Sequence, residues 1–246
     1  MRHITKGLTA IALGLSLSHA AFAEETSATA ATAAADTANT DKTSAEQAAP
    51  VEKKETPRME NSTRLLHLAA TGGLSVGGDT IATSYFTNGD KEKITAGGLF
   101  YFSAGLGIDL PLAPFTVQLT GGLHFDESTA ENGKATFERN TLDAQIFYRQ
   151  GNHRFGIGAV QHKAPEFIAK IDGQPDQRAT FDDATGFSVE YNYLPAIINW
   201  PFKEGRAGFS LRYVSIDYTA KTVNGAPAQP KTFDGSHVAA GLYLYL

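Results

Sequence analysis

The chain contains no cysteine. That excludes a disulfide scaffold, a thiolate metal site, a cysteine nucleophile and a lipid anchor on cysteine. Aromatic residues are missing from its front quarter: of the 25 aromatics, only Phe22 precedes position 63. Glycine is scarce there too, with Gly7 and Gly14 standing before that point and the other 22 after it. No excess of basic charge exists either, since 21 − 26 gives −5, so nothing electrostatic points to nucleic acid. Apolar runs long enough for a membrane-spanning helix are also absent, the best being the roughly 11 residues from Gly7 to Leu17. The chain therefore divides into a front segment that cannot build a core and one folding unit of residues 63–246.

Residues 1–23 have the three-part layout of a secretory signal peptide. Arg2 and Lys6 form the basic start, Gly7 to Leu17 the apolar stretch, and Ala21-Phe22-Ala23 the small-x-small cleavage site. Removing them takes away two basic residues and no acidic ones, leaving 19 − 26, or −7. Residues 24–62 hold 10 alanines and 7 threonines, with no glycine and no aromatic. Such a stretch buries too little apolar surface to offset its ordering entropy, so it reads as a disordered Ala/Thr-rich tether.

After position 63 the helical period is missing and alternation with period two takes its place. The cleanest case is Phe115–His124, where Phe115, Val117, Leu119, Gly121 and Leu123 alternate with Thr116, Gln118, Thr120, Gly122 and His124. Residues 96–109 repeat the pattern. Six further strands fall near 64–85, 136–149, 154–169, 185–194, 206–220 and 235–246. Within 206–220 the apolar parity changes between Tyr213 and Val214, which predicts a β-bulge. The even-numbered connections are compact or proline-rich (Pro111–Pro114, Gln150–His153, Pro195–Gly205). The odd-numbered ones are polar, at Thr87–Lys93, Ser128–Ala135, Asp172–Ala184 and Val223–Gly235. Short turns at one end and polar loops at the other describe an all-β, eight-stranded antiparallel up-and-down barrel. Trp200-Pro201-Phe202, in the longest of the turns, reads as an interfacial anchor.

Such a barrel is either a water-soluble cup with its apolar face inside or a transmembrane barrel with that face outside. Small residues on the polar face (Ser75, Gly105, Ser188, Ser210) suit a narrow interior, and the broader apolar face suits lipid. The chain ends on Gly241-Leu242-Tyr243-Leu244-Tyr245-Leu246. Gly241, Leu244 and Leu246 resemble the Gly-x-x-Φ-x-Φ β-signal of bacterial outer-membrane proteins, although that family usually ends on an aromatic. Residues 63–246 resemble the small eight-stranded barrels of this class, the OmpA-type transmembrane domain and the Ail-like surface proteins. The resemblance implies an outer-membrane location, periplasmic termini, four surface loops and contact with the barrel-assembly machinery. It also implies lipid and lipopolysaccharide around the wall; separately, the polar loops are of a size to bind an extracellular protein.

On that topology Glu190, Asn192, Arg212, Asp143, Gln145 and Arg139 point inward. Buried charges need partners, so Glu190, Arg212 and Asp143 are expected to form a lumen network, with Glu190 diagonal to Arg212. The network either locks a narrow barrel or gates a narrow pore. Catalysis would need a nucleophile beside a histidine base. The His-x-Ser pattern of lipid A deacylases is absent, Ser236 and His237 are adjacent and so point apart, and His124 shares a face with Asp126. Asp172, Asp176, Asp182 and Asp183 make the third loop acidic, without EF-hand spacing. The sequence thus predicts a non-enzymatic outer-membrane barrel, without cofactor or metal, that has a structural or surface-interaction role. A narrow gated pore, and then an envelope-lipid hydrolase, are the alternatives.

Overall fold

A computed structural model describes residues 8–13, 65–195 and 206–246. The cleavage site, residues 24–62 and the Trp200-Pro201-Phe202 turn lie outside the described residues. Eight strands make the wall: β2 (Leu66–Gly77), β5 (Phe100–Asp109), β6 (Phe115–Ala130), β7 (Gly133–Gln150), β8 (His153–Ile171), β10 (Ala184–Tyr193), β11 (Arg206–Ser215) and β15 (His237–Tyr245). Each pairs antiparallel with the next. β11 pairs with β15 and β15 with β2, so the ring closes. Closure leaves no free edge in the wall.

The remaining strands extend the loop end. They are β3 (Thr80–Phe86), β4 (Lys91–Thr95), β9 (Gln177–Phe181), β12 (Asp217–Val223), β13 (Ala226–Pro227) and β14 (Thr232–Asp234), with β1 (Leu8–Leu13) paired to β3. This corrects the sequence reading in three places. The first strand stops at Gly77, where φ is +134°, and Thr80–Phe86 becomes part of a separate hairpin. Ser128–Ala135 is no loop, because β6 and β7 stay paired up to Ala130 opposite Gly133.

The parity change at Val214 is also not a bulge. The register of β11 is unbroken against both neighbours, and Ser210, Arg212, Val214, Ile216 and Tyr218 all point inward and are buried. What changes is the interior. Below Val214 it is polar; above, it is an apolar core of Phe137, Phe167, Phe181, Tyr218, Phe233, Ile81 and Ile94. The bulge lies instead on β8, where Ala164-Pro165 faces Arg139 and the register slips. Proline has no N–H to donate to a ladder, which is why a bulge takes it. Ala164 adopts φ 45°, and its N–H donates to Asp183 Oδ1 at 2.9 Å.

Outside, every strand of the wall carries a large exposed aliphatic. These are Leu68, Leu106, Leu119, Leu142, Ile157, Val189, Leu211 and Leu242, each 48–66% exposed. Aromatics flank this belt. Phe115, Tyr148, Phe155 and Tyr191 form one continuous row toward the turn end, while Phe100, Phe125, Phe187 and Tyr213 stand toward the loop end.

Candidate functional site

The lumen is built in layers from the alternate residues of the wall. At the turn end, Asp109 accepts from Thr116 Oγ1 (2.6 Å), Tyr245 Oη (2.7 Å) and Arg149 Nη1 (2.5 Å). The Nε2 of His67 stands 3.1 Å from the same carboxylate. Above it the guanidinium of Arg154, fully buried, lies between Phe147 and Tyr245, 4.3 Å from each ring centroid. Arg154 donates to Tyr243 Oη and, at 3.2 Å, to Gln118 Oε1. Sandwiching between rings compensates a buried cation that has no carboxylate in contact.

The mid-lumen layer holds the three residues singled out from the sequence. Arg212 and Asp143 form an ion pair, and Thr120 Oγ1 donates to the other oxygen of Asp143 at 3.4 Å. Glu190 is the direct ladder partner of Arg212, rather than its diagonal neighbour. The carboxylate of Glu190 accepts from Gln145 Nε2 (2.9 Å) and Ser210 Oγ (3.1 Å). Arg139 and Asn192 also point inward and are buried. The cavity beside Arg212, Tyr101 and Ser103 is about 20 Å³, room for one water. Around this layer the inward side chains fill most of the space.

A histidine layer, missed from the sequence, follows. His124, His162 and His237 come from β6, β8 and β15, and their ring centroids lie 4.8–6.4 Å apart. Nothing in the spacing of these residues along the chain joins them; closing the barrel does. His124 does not pair with Asp126, whose carboxylate accepts from the backbone and hydroxyl of Thr95 at 2.8 and 3.3 Å.

Instead, His124 Nε2 stands 2.7 Å from Ser75 Oγ, which has the geometry of a nucleophile–base dyad. The proton is on the wrong nitrogen for that role. Arg139 Nη2 donates to His124 Nδ1 at 2.9 Å, so Nδ1 carries the lone pair and Nε2 the hydrogen. His124 therefore donates to Ser75, and Ser75 donates onward to the carbonyl of Gly97 or Gly98, each 3.2 Å away. Both residues are buried, at 2% and 3% exposure. This pair is a structural bridge between the wall and the first loop, not a base activating a hydroxyl.

At the C-terminal motif, Gly241 pairs with Gly73 across the β15–β2 seam, and a Cβ on Gly241 would lie 2.6 Å from Tyr101 Oη. Leu244 faces outward, and both backbone groups of Leu246 bond Leu68 at 2.8 Å. Three of the four carboxylates of the third loop are paired with lysines: Asp176 with Lys170 (3.9 Å), Asp182 with Lys221 (3.7 Å) and Asp183 with Lys163 (2.9 Å). Among the described residues no cluster of three ligands could hold a metal ion.

No family model matches the chain, and no curated protein matches it. Among solved structures, the crystal structure of Neisserial surface protein A (NspA) is similar at 13% identity and a TM-score of 0.40. The match covers 73% of this chain and 96% of that one.

Proposed function

We propose that the protein is an outer-membrane β-barrel with a structural or surface-interaction role and no catalytic activity. The observation that carries this reading is the belt of eight exposed aliphatics, one per strand, around a polar and packed interior. A water-soluble cup would reverse that arrangement, and so large an apolar surface in water would drive aggregation. Lipid removes the cost, and the two aromatic rows suit the two interfacial levels of a bilayer. On this reading the turn end faces the periplasm, lipid and lipopolysaccharide surround the wall, and Gly241, Leu244 and Leu246 are what the assembly machinery reads. Export follows from residues 1–23. The apolar core of the loop end makes a rigid platform outside the membrane for a protein ligand.

Surface labelling tests the placement, because the chain has no native thiol to interfere. A Gln174→Cys chain should react with an impermeant maleimide on intact cells, and a Leu112→Cys chain only after the outer membrane is opened. The reverse pattern, or a protein released with the periplasmic fluid, contradicts the proposal.

A further inference from the structure

Three histidines stand where the polar lumen meets the apolar core of the loop end, and each ties part of the loop end to the wall. His124 Nε2 donates to Ser75 Oγ, and that hydroxyl reaches the carbonyls of Gly97 and Gly98 in the first loop. His162 Nδ1 shares a hydrogen bond with Tyr218 Oη of β12, and the two rings stack with centroids 5.8 Å apart. His237 Nδ1 donates to the carbonyl of Gly235 at 2.8 Å. Its Cβ packs against Gly97, where an added Cβ would lie 3.0 Å away. All three histidines are buried, at 2–4% exposure.

The free charge that faces these rings is positive. Arg139 of β7 donates to His124 Nδ1 at 2.9 Å, and its guanidinium lies 5.0 Å from the ring of Phe137 and 5.6 Å from that of Tyr218. Arg212 of β11 lines the same small cavity as the three histidines. The carboxylates on the neighbouring elements are engaged elsewhere: Asp143 of β7 pairs with Arg212, and Asp126 of β6 accepts from Thr95. Tyr101 of β5, edge-on to His124, and Tyr218 are the phenols that face the layer. Among the described residues no carboxylate forms an ion pair with Arg139 or with any of the three histidines.

Neutral rings are built into these contacts. His124 accepts through Nδ1 from a guanidinium, which an imidazolium cannot do because both of its nitrogens carry hydrogen. Protonation in place sets N–H against N–H beside a buried cation, with no anion to offset the added charge. A loop end lifted from the wall instead admits water to the rings and lets them take up protons. The open form then binds more protons than the closed one, so the closed form holds at neutral pH and loses ground as pH falls. We infer that the histidine layer is an acid-sensitive latch, which holds the first loop and β12 on the wall while its rings are neutral and releases them on protonation. The surface that the loop end presents is then intact at neutral pH and dismantled in acid. The inference needs only the closed barrel; the outer-membrane reading adds that the pH sensed is that of the cell exterior.

Amide hydrogen exchange on the full chain in detergent, corrected for the intrinsic effect of pH, reads the latch directly. The N–H groups of Ser75, Ala96 and Ala220, bonded to the carbonyls of Leu99, Asp79 and Lys231, report on the loop end. Those of Asp109 and Arg149, bonded to Leu65 and Pro114, report on the turn end. Each proton that only the open form takes up multiplies the opening constant about tenfold per pH unit below the ordinary histidine value of about 6.5. Between pH 6.5 and pH 5 the three loop-end amides should therefore lose protection by about tenfold or more, while the two turn-end amides keep theirs. Combining His124→Gln, His162→Phe and His237→Asn removes the titrating groups and keeps their contacts. The glutamine amide still donates to Ser75, the phenylalanine still stacks on Tyr218, and the asparagine amide still donates to Gly235. That chain should stay closed over the same range, and Asp126→Asn should respond as the native chain does.

A heat-dependent gel shift reports separately whether each variant still folds as a barrel. Should the triple variant fail to fold, the native chain carries the test alone: the imidazole nitrogen resonances of the three rings should show their second proton arriving at the pH at which the loop-end amides open. Loop-end protection that is indifferent to pH overturns the inference. An acid response that survives the triple substitution, or that disappears in Asp126→Asn, overturns it too, as do rings that protonate while the loop end stays closed. Each of these results leaves the outer-membrane reading standing, since none of them bears on where the barrel resides.

Discussion

Arg212 of β11 and Asp143 of β7 form an ion pair across the lumen, joining strands that are separated in the wall by β8 and β10. Both are buried, at 8% and 4% exposure. Removing one partner of such a pair leaves an unpaired charge, so Asp143→Ala should destabilise the barrel by about 3–5 kcal/mol. Replacing both, Asp143→Leu with Arg212→Met, should recover most of that loss. Urea unfolding in lipid vesicles measures it, and planar-bilayer recording on the native protein should be silent because the lumen is packed.

Ser75 should be inert. His124 holds its proton on the nitrogen that faces the serine, so a fluorophosphonate probe should leave no adduct on Ser75, as read by peptide mass spectrometry. Ser75→Ala should instead loosen the first loop, which increases its cleavage by protease.

Gly241 is constrained by packing as well as by any recognition role. A Cβ there would meet the carbonyl oxygen of Gly72 and stand 2.6 Å from Tyr101 Oη. Gly241→Ala should cost about 1–3 kcal/mol through overpacking. Adding Tyr101→Phe should not restore the folded yield, because the backbone oxygen of Gly72 cannot move aside as a side-chain hydroxyl can.

Leu119 and Leu112 are both exposed, at 61% and 100%, but only Leu119 lies in the mid-wall belt. Arginine at position 119 should cost about 2–4 kcal/mol in a bilayer. Arginine at position 112, in a turn, should be near neutral. Equal and negligible effects in vesicle unfolding would contradict a lipid-facing belt.

The bulge at Ala164 should respond to acid. The carboxyl of Asp183 is held below its ordinary value of 3.8, first by the N–H of Ala164 and then by Lys163. A depressed carboxylate adds stability above the unfolded value, and that stability is lost as pH falls through the folded one. Protection of the Ala164 amide from hydrogen exchange should therefore decline below about pH 4 in the native chain. In Asp183→Asn it should be insensitive to pH over that range.

The wall was legible in the sequence because period-two alternation persists wherever one face meets a polar interior and the other does not. Phe115–His124 reads cleanly for that reason. Alternation stopped being a guide at Val214, where the inward face itself becomes apolar, and a change of environment then looks like a change of register. The pairing of Glu190 with Arg212 follows from counting along neighbouring strands, with an error of one step. The pairing of Arg212 with Asp143 and the grouping of His124, His162 and His237 depend on closure, which no local pattern encodes.

Envelope fractionation followed by gels of boiled and unboiled sample tests the central claim most directly. The account predicts that the protein is in the outer-membrane fraction and that the unboiled form, still a closed barrel in SDS, migrates differently from the boiled one. Recovery with the soluble periplasmic proteins, together with identical mobility before and after boiling, would contradict it.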